Sequence, residues 1–167
     1  MYSLNVPVPG RLKRLAAELH PRLASFERVR ERHSLVCKRF ESGEPNRLYK
    51  RTRRALGNAP AFEARTARIE SFENPVRGPG PVVYLAVESP GLFDIHDRLV
   101  EAFGAIPFLE GTEYVPHVTL ARGGSTEQAS DLCALDIEPI EWTVTELGFY
   151  DATHDELINT MSLPLSP

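Results

Sequence analysis

The chain has 167 residues, 42% of them apolar and 25% charged, with a formal charge of −4. That length supports one sizeable core, and 11 glycines with 14 prolines suit a loop-rich mixed fold better than a helical bundle. The longest apolar run, residues 82–87, is too short for a helix across a bilayer, and two cysteines 96 positions apart, Cys37 and Cys133, exclude a disulfide framework or a cysteine-rich zinc module.

The amino terminus shows no charged stretch followed by an apolar one, so no signal peptide and no membrane partner are expected, and a cytoplasmic location is. Charge is unevenly placed. Residues 1–78 hold 17 Lys/Arg against 8 Asp/Glu, whereas 79–167 hold only Arg98 and Arg122 against 15 acids. Residues 38–54 alone carry seven positive and two negative side chains. Such a block is either a solvated face or a footprint for a polyanion such as RNA, whose phosphates attract Lys and Arg at long range. Charge alone leaves both open.

Residues 2–8 alternate as a strand, ended by Pro9-Gly10. Leu12, Leu15, Ala16 and Leu19 form the stripe of a short helix, which His20-Pro21 stops. Residues 26–40 read as extended, with Val29, His33, Leu35 and Cys37 on one face and Arg28, Arg30 and Arg32 on the other. After a turn at 42–45, Asn46 caps a basic helix over 47–56, and 62–72 alternates as a strand. The segment 74–81 (NPVRGPGP) is the most linker-like in the chain. An apolar, central strand at 82–87 follows, and Ser89 as cap with Pro90 as first residue opens a helix to about Phe103. A strand at 114–122 ends at Gly123-Gly124. A short helix at 126–135, one long strand at 140–150 and a last strand at 157–163 complete the chain.

Each half therefore places a histidine-bearing strand after a helix, and His33 and His117 stand 84 residues apart, the pattern of an internal duplication. Residues 1–167 are expected to form one domain of two lobes, roughly 1–78 and 79–167, with a cleft on the pseudo-twofold axis. Among the other histidines, His96 falls at the centre of an apolar arc with Leu92, Leu99, Val100 and Phe103, which predicts a buried structural role. His20 terminates a helix, and His154 lies in a polar turn.

His117 differs. Alternation puts His117, Thr119 and Ala121 on one face and Val118 and Leu120 on the other, so an imidazole and a hydroxyl project about 7 Å apart along the strand. That arrangement suits a phosphate. His33, on a predicted strand beside Ser34, is its counterpart in the other half, and two imidazoles facing one cleft supply a base and an acid near pH 7. No HxH or HxxxH pair occurs, so no metal is expected. G-x-S-x-G, the P-loop and the dinucleotide fingerprint are absent from the sequence.

With one strand histidine in each half, the chain resembles the 2H phosphoesterase superfamily and, within it, the 2′-5′ RNA ligase and RNA 2′,3′-cyclic phosphodiesterase group. The likeness is clearest over 82–163: the strand and helix 82–103 with Leu99, the run YVPHVTLAR at 114–122, and WTVTELGFY at 142–150. His117-Val118-Thr119-Leu120 matches the family's H-x-[ST]-h motif in full. The first motif departs, because His33-Ser34-Leu35-Val36 has its hydroxyl directly after the histidine and leucine where Ser or Thr belongs. Strict alternation turns Ser34 away from His33; either a bulge redirects it or the site has one hydroxyl fewer.

The resemblance implies an α+β fold, bilobal with pseudo-twofold duplicated lobes, two antiparallel sheets flanking a central cleft and helices outside. It implies hydrolysis or transesterification of an RNA 2′,3′-cyclic phosphate with no cofactor and no metal. One of His33 and His117 would be general base and the other general acid, with Thr119, Ser34, Arg122 and Arg39 holding phosphate oxygens. The expected partner is RNA or a nucleotide ending in that phosphate, and the chain is expected to act as a monomer. Two other readings stay open: a noncatalytic RNA-binding module using the groove and the basic helix, which the departing first motif supports, and a small-nucleotide cyclic phosphodiesterase.

Overall fold

The computed structural model describes residues 1–165. In chain order it runs β1 (Tyr2–Val6), α1 (Gly10–Leu23), β2 (Arg28–Val29), β3 (Leu35–Phe40), α2 (Pro45–Leu56), β4 (Phe62–Phe72), β5 (Val82–Glu88) and α3 (Pro90–Phe103). A 3-10 turn (Gly111–Glu113) then precedes β6 (His117–Arg122), α4 (Thr126–Cys133), β7 (Ile140–Val144), β8 (Glu146–Asp151) and β9 (Glu156–Ser162). Every strand pairing is antiparallel. The strands form one nine-stranded sheet in the order β7-β4-β5-β6-β3-β1-β8-β9, with β2 added to β6; its β6–β3 junction divides it into two four-stranded sheets, β7-β4-β5-β6 and β3-β1-β8-β9. The β3–β6 junction rests on a single register pair, Leu35 with Val118. This is the α+β architecture of two antiparallel sheets expected above. Among the described residues no helix is long and apolar enough to cross a membrane.

The lobes differ from the two halves of the chain. β4 pairs with β5 and β7, and β8 pairs with β1 from the opposite end of the sequence. The segment 74–81 is thus a connection inside one sheet rather than a boundary between lobes. The long strand expected at 140–150 splits at Thr145 for the same reason. β7 is the outer edge of the first sheet, β8 lies inside the second, and the chain crosses between them where Leu163 donates its N–H to the Thr145 carbonyl at 2.7 Å.

Two helix boundaries also shift. α1 continues past His20-Pro21 because Leu23 is buried in the core, and one missing N–H near a helix end costs little against that burial. α2 begins at Pro45 and is capped by Glu44, whose carboxylate accepts from the N–H groups of Asn46 (3.0 Å) and Arg47 (2.9 Å). Asn46 itself lies inside the first turn. α3 starts as expected, with Leu92 N–H donating to Ser89 Oγ at 3.2 Å.

Alternation divides each central strand between two environments. Leu4 and Val6 of β1, Leu35 and Cys37 of β3, and Val118 and Leu120 of β6 are all buried in a core shared with Leu12 and Ala16 of α1 and Leu92, Ile95 and Leu99 of α3. The opposite faces of β3 and β6 are left for the cleft.

Candidate active site

On β6, Val118 and Leu120 are fully buried while His117 and Thr119 remain half-buried on the open face. β5 lies alongside, pairing Ala86 with His117 and Tyr84 with Thr119. The His117 ring is held edge-on between Phe72, 5.4 Å away between centroids, and Tyr84, 5.3 Å away. Its Nδ1 lies 2.6 Å from the Val115 carbonyl oxygen. A carbonyl only accepts, so Nδ1 carries the hydrogen and Nε2 keeps its lone pair. Burial, aided by the charges of Arg39, Arg122 and Arg30, lowers the His117 pKa below 6.5 despite the opposing hydrogen bond to Val115. The imidazole is therefore neutral at pH 7, with a basic nitrogen available.

Opposite β6 stands β3. The Leu35–Val118 pair sets Val36 across from His117 and Ser34 across from Thr119, since neighbours of an antiparallel pair run in opposite senses. Ser34, Val36, His117 and Thr119 line one cavity of about 50 Å³ together with Arg39 and Arg122. Under the twofold relation, Ser34 occupies the place of His117 and Val36 that of Thr119. His33 lies one residue earlier and lines a separate cavity of about 500 Å³ with Asn5, Lys13 and Tyr150.

The cause lies in the register. β2 follows β6 as Arg28 with Arg122 and Val29 with Ala121, and Arg30 N–H donates to Leu120 O at 2.8 Å. β3 resumes pairing at Val118, two residues along β6 but five along its own chain. The three surplus residues loop out over 31–33, and His33 goes with them. A continuously extended 26–40, as expected from the sequence, would make His33 the counterpart of His117; the loop removes that equivalence.

Arg39 reaches the site by a bulge. β1 pairs Leu4 with Lys38 and then Asn5 with Val36, so Cys37 is the extra residue, and the bulge returns Arg39 to the open face with Val36 rather than to the face of His33. Of the six residues singled out from sequence, Ser34, Arg39, His117, Thr119 and Arg122 thus line one cavity, and His33 lines another.

That central cavity also takes Arg30 and Arg32 and has no carboxylate in its lining. Burial lowers the pKa of Arg39, and burial with the charges of Arg30 and Arg28 lowers that of Arg122. An oxyanion among these guanidinium groups would relieve that crowding. Arg122 is oriented by a hydrogen bond from Nη1 to the Arg77 carbonyl at 2.5 Å.

A buried polar network, unforeseen from sequence, fixes β3 to the loop that leads into His117. Lys38 Nζ lies 2.5 Å from Glu110 Oε1, both side chains almost wholly buried. Glu110 also accepts from the N–H groups of Arg39 and Ile106, each at 2.9 Å. The available signal was Lys38 itself, a cation inside the otherwise buried run of β3. His96 is fully buried, as its position on the apolar arc predicts. It stacks on Tyr114 at 3.7 Å, donates from Nδ1 to Cys37 O at 2.7 Å and accepts from Gly111 N–H at 2.9 Å. Tyr114 in turn donates to Val36 O at 2.7 Å.

Beyond His117 the cleft widens into a cavity of about 330 Å³ walled by Phe72, Val76, Leu109, Val115 and the exposed Phe108. The cations of α2 are absent from the linings of all these cavities; α2 packs on α3. Among the described residues no three His, Cys, Asp or Glu side chains come together as a metal site.

An imidazole, a hydroxyl and clustered arginines in the cleft of an α+β fold form a set suited to holding a phosphate group. Residues 8–156 match the model of the 2′-5′ RNA ligase superfamily, and the chain belongs to that family. Its fold is similar to that of TT0787 of Thermus thermophilus, with 19% identity, a TM-score of 0.64 and 97% of each chain covered. It is also similar to E. coli LigT complexed with 3′-AMP (17% identity, TM-score 0.63, 98% of this chain and 97% of that one). LigT complexed with phosphate gives 16% identity and a TM-score of 0.63, covering 98% of this chain and 96% of that one. No curated protein matches the sequence.

Proposed function

We propose that the chain is a phosphodiesterase acting on RNA or nucleotide ends that carry a 2′,3′-cyclic phosphate, with His117 as the one imidazole at phosphorus. The observation that carries this reading is the small cavity around His117, Thr119, Ser34, Arg39 and Arg122, with Arg30 and Arg32 also in its lining and no carboxylate there. The family and the 3′-AMP and phosphate complexes of LigT agree with a nucleotide phosphate there.

In this mechanism Nε2 of His117 takes a proton from water as the water oxygen bonds to phosphorus. The ring P–O3′ bond breaks, the leaving oxygen takes its proton from solvent, and a terminal 2′-phosphomonoester results. In-line displacement puts the leaving oxygen on the side away from His117, towards the Ser34 hydroxyl and the Arg39 guanidinium. These stabilise its charge as donors rather than as a second general acid. Thr119 and Arg122 hold the nonbridging oxygens.

The test is ring opening of an RNA with a 2′,3′-cyclic phosphate end, with chelator present. His117→Ala is expected to lose at least about 100-fold in kcat/KM, the ordinary worth of a general base, while His33→Ala stays within tenfold. An equal loss in both variants would restore the paired-histidine mechanism. The replacement of a second imidazole by Ser34 favours a second reading, a noncatalytic nucleotide-binding module; binding without turnover by the unaltered protein identifies it.

A further inference from the structure

We infer that the outer face of α2 binds the phosphates of a single RNA strand, as a surface separate from the cleft. It needs no reacting group and binds whether or not the cleft opens a cyclic phosphate. At about 100° per residue, the exposed Arg47, Lys50, Arg51, Arg53 and Arg54 share an arc of roughly 160°. Leu48, Thr52 and Leu56 occupy the opposite side and are buried. The helix contains no acid, and among the described residues none of its cations forms an ion pair.

That arrangement works against the helix itself. Arg47 stands in the first turn, where the helix dipole disfavours positive charge. Arg47 and Arg51, and Lys50 and Arg54, are like charges four apart. Arg47 and Lys50, Lys50 and Arg53, and Arg51 and Arg54 are three apart, and both spacings bring side chains together. Nearby carboxylates are engaged elsewhere. Glu44 accepts with its two oxygens from the N–H groups of Asn46 and Arg47, and Glu41 pairs with Arg77 at 2.8 Å. α3 packs on α2 but meets these cations through neutral groups: Arg51 donates to Ala102 O, and its guanidinium carbon lies 4.4 Å from the Phe103 ring centroid. An external polyanion would relieve the repulsion.

RNA fits this face better than other polyanions do. Four of the five cations are guanidinium groups, which take phosphate oxygens two at a time. Among the described residues the large exposed apolar side chains all lie off α2, so the helix has nothing to insert into a bilayer. The face is also close to the cleft along the chain. Arg77, the partner of Glu41, lines the cleft mouth, and α2 begins four residues after Glu41, at most about 14 Å of chain. A strand whose end sits in the cleft can therefore continue onto α2.

Fluorescence anisotropy with a labelled single-stranded RNA of about 20 nucleotides, longer than one compact binding site, tests this across a salt series. A 3′-hydroxyl end keeps the readout independent of ring opening. The triple variant Arg47→Ala, Lys50→Ala, Arg54→Ala should bind at least about tenfold more weakly, with a plot of log Kd against log salt shallower by about 2, roughly 0.7 per lost phosphate contact. Removing equal charge from α1, as Arg11→Ala, Arg14→Ala, Arg22→Ala, should cost less than about threefold, the effect of net charge alone. Melting temperatures at or above that of the unaltered protein show that the α2 variant folds, and Arg54→Glu alone repeats the test at one exposed position. Equal losses in the α1 and α2 variants, an unchanged salt slope, or displacement of the RNA by polyglutamate as readily as by unlabelled RNA would overturn the inference. So would retention on phosphatidylserine vesicles that RNA does not compete away.

Discussion

Glu110 is the residue whose loss should propagate furthest. It is almost fully buried and holds Lys38 Nζ at 2.5 Å, while accepting from the N–H groups of Arg39 and Ile106. Glu110→Ala leaves the buried Lys38 ammonium without a counter-charge, with the Arg39 carbonyl at 2.9 Å as its remaining acceptor, and strands two backbone donors; removing one partner of a buried pair costs about 3–5 kcal/mol. For a chain of this size each kcal/mol lowers Tm by about 2–4 °C, so a fall of roughly 6–20 °C is expected. Urea unfolding followed by circular dichroism measures the loss directly. Two further variants separate charge from hydrogen bonding. Glu110→Gln keeps an acceptor for the backbone but leaves Lys38 unpaired, and adding Lys38→Met removes that charge, so the double variant should recover most of the loss. A Glu110→Ala cost under about 1 kcal/mol, or a double variant no more stable than Glu110→Gln, would refute the reasoning.

A single working imidazole gives a one-sided pH profile: kcat/KM for ring opening should fall below pH 6.5 as His117 protonates and show no descending limb near neutrality, where paired histidines give a bell. Stability follows the same group. Below pH 6.5 the unfolded chain takes up a proton that folded His117 refuses until lower pH, so stability drops as pH falls through that window, and urea melts of His117→Asn should show a smaller drop. In NMR titrations His33 and His117 should titrate below 6.5, the former through burial and the charges of Arg30 and Lys13, and His154 above it through its hydrogen bond to Asp151. Gly91→Ala should destabilise by about 1–3 kcal/mol in thermal melts, because the added Cβ would lie 2.3 Å from Phe62 Cβ; the helix-propensity gain of about 1 kcal/mol is too small to offset the clash.

Strong local patterns were legible in the sequence. The 11 residues of β4 and the Ser89-Pro90 start of α3 have the expected bounds, since alternation and capping are written in adjacent residues. The open face of β6 was legible for the same reason. Misreadings fell where pairing partners decide the outcome. Nothing local says that β7 and β8 belong to different sheets, or that β4 pairs away from the amino-terminal strands. The surplus at 31–33 is visible only against the fixed register of β6, and it moves His33 out of the cavity that Ser34 enters. The bulge at Cys37 likewise exists only because β1 pairs on both sides of it. Spacing in the chain proposed two equivalent histidines; pairing across the sheets makes Ser34 the equivalent residue.

The proposed function turns on phosphate being gripped by one imidazole, with hydroxyls and arginines completing its shell. A crystal structure of the protein soaked with inorganic phosphate tests this most directly. The ion is expected within hydrogen-bonding distance of His117 Nε2 and Thr119 Oγ1, with Arg39 and Arg122 on it and His33 out of contact. Phosphate bridging His33 and His117, or seated away from His117 altogether, would contradict it.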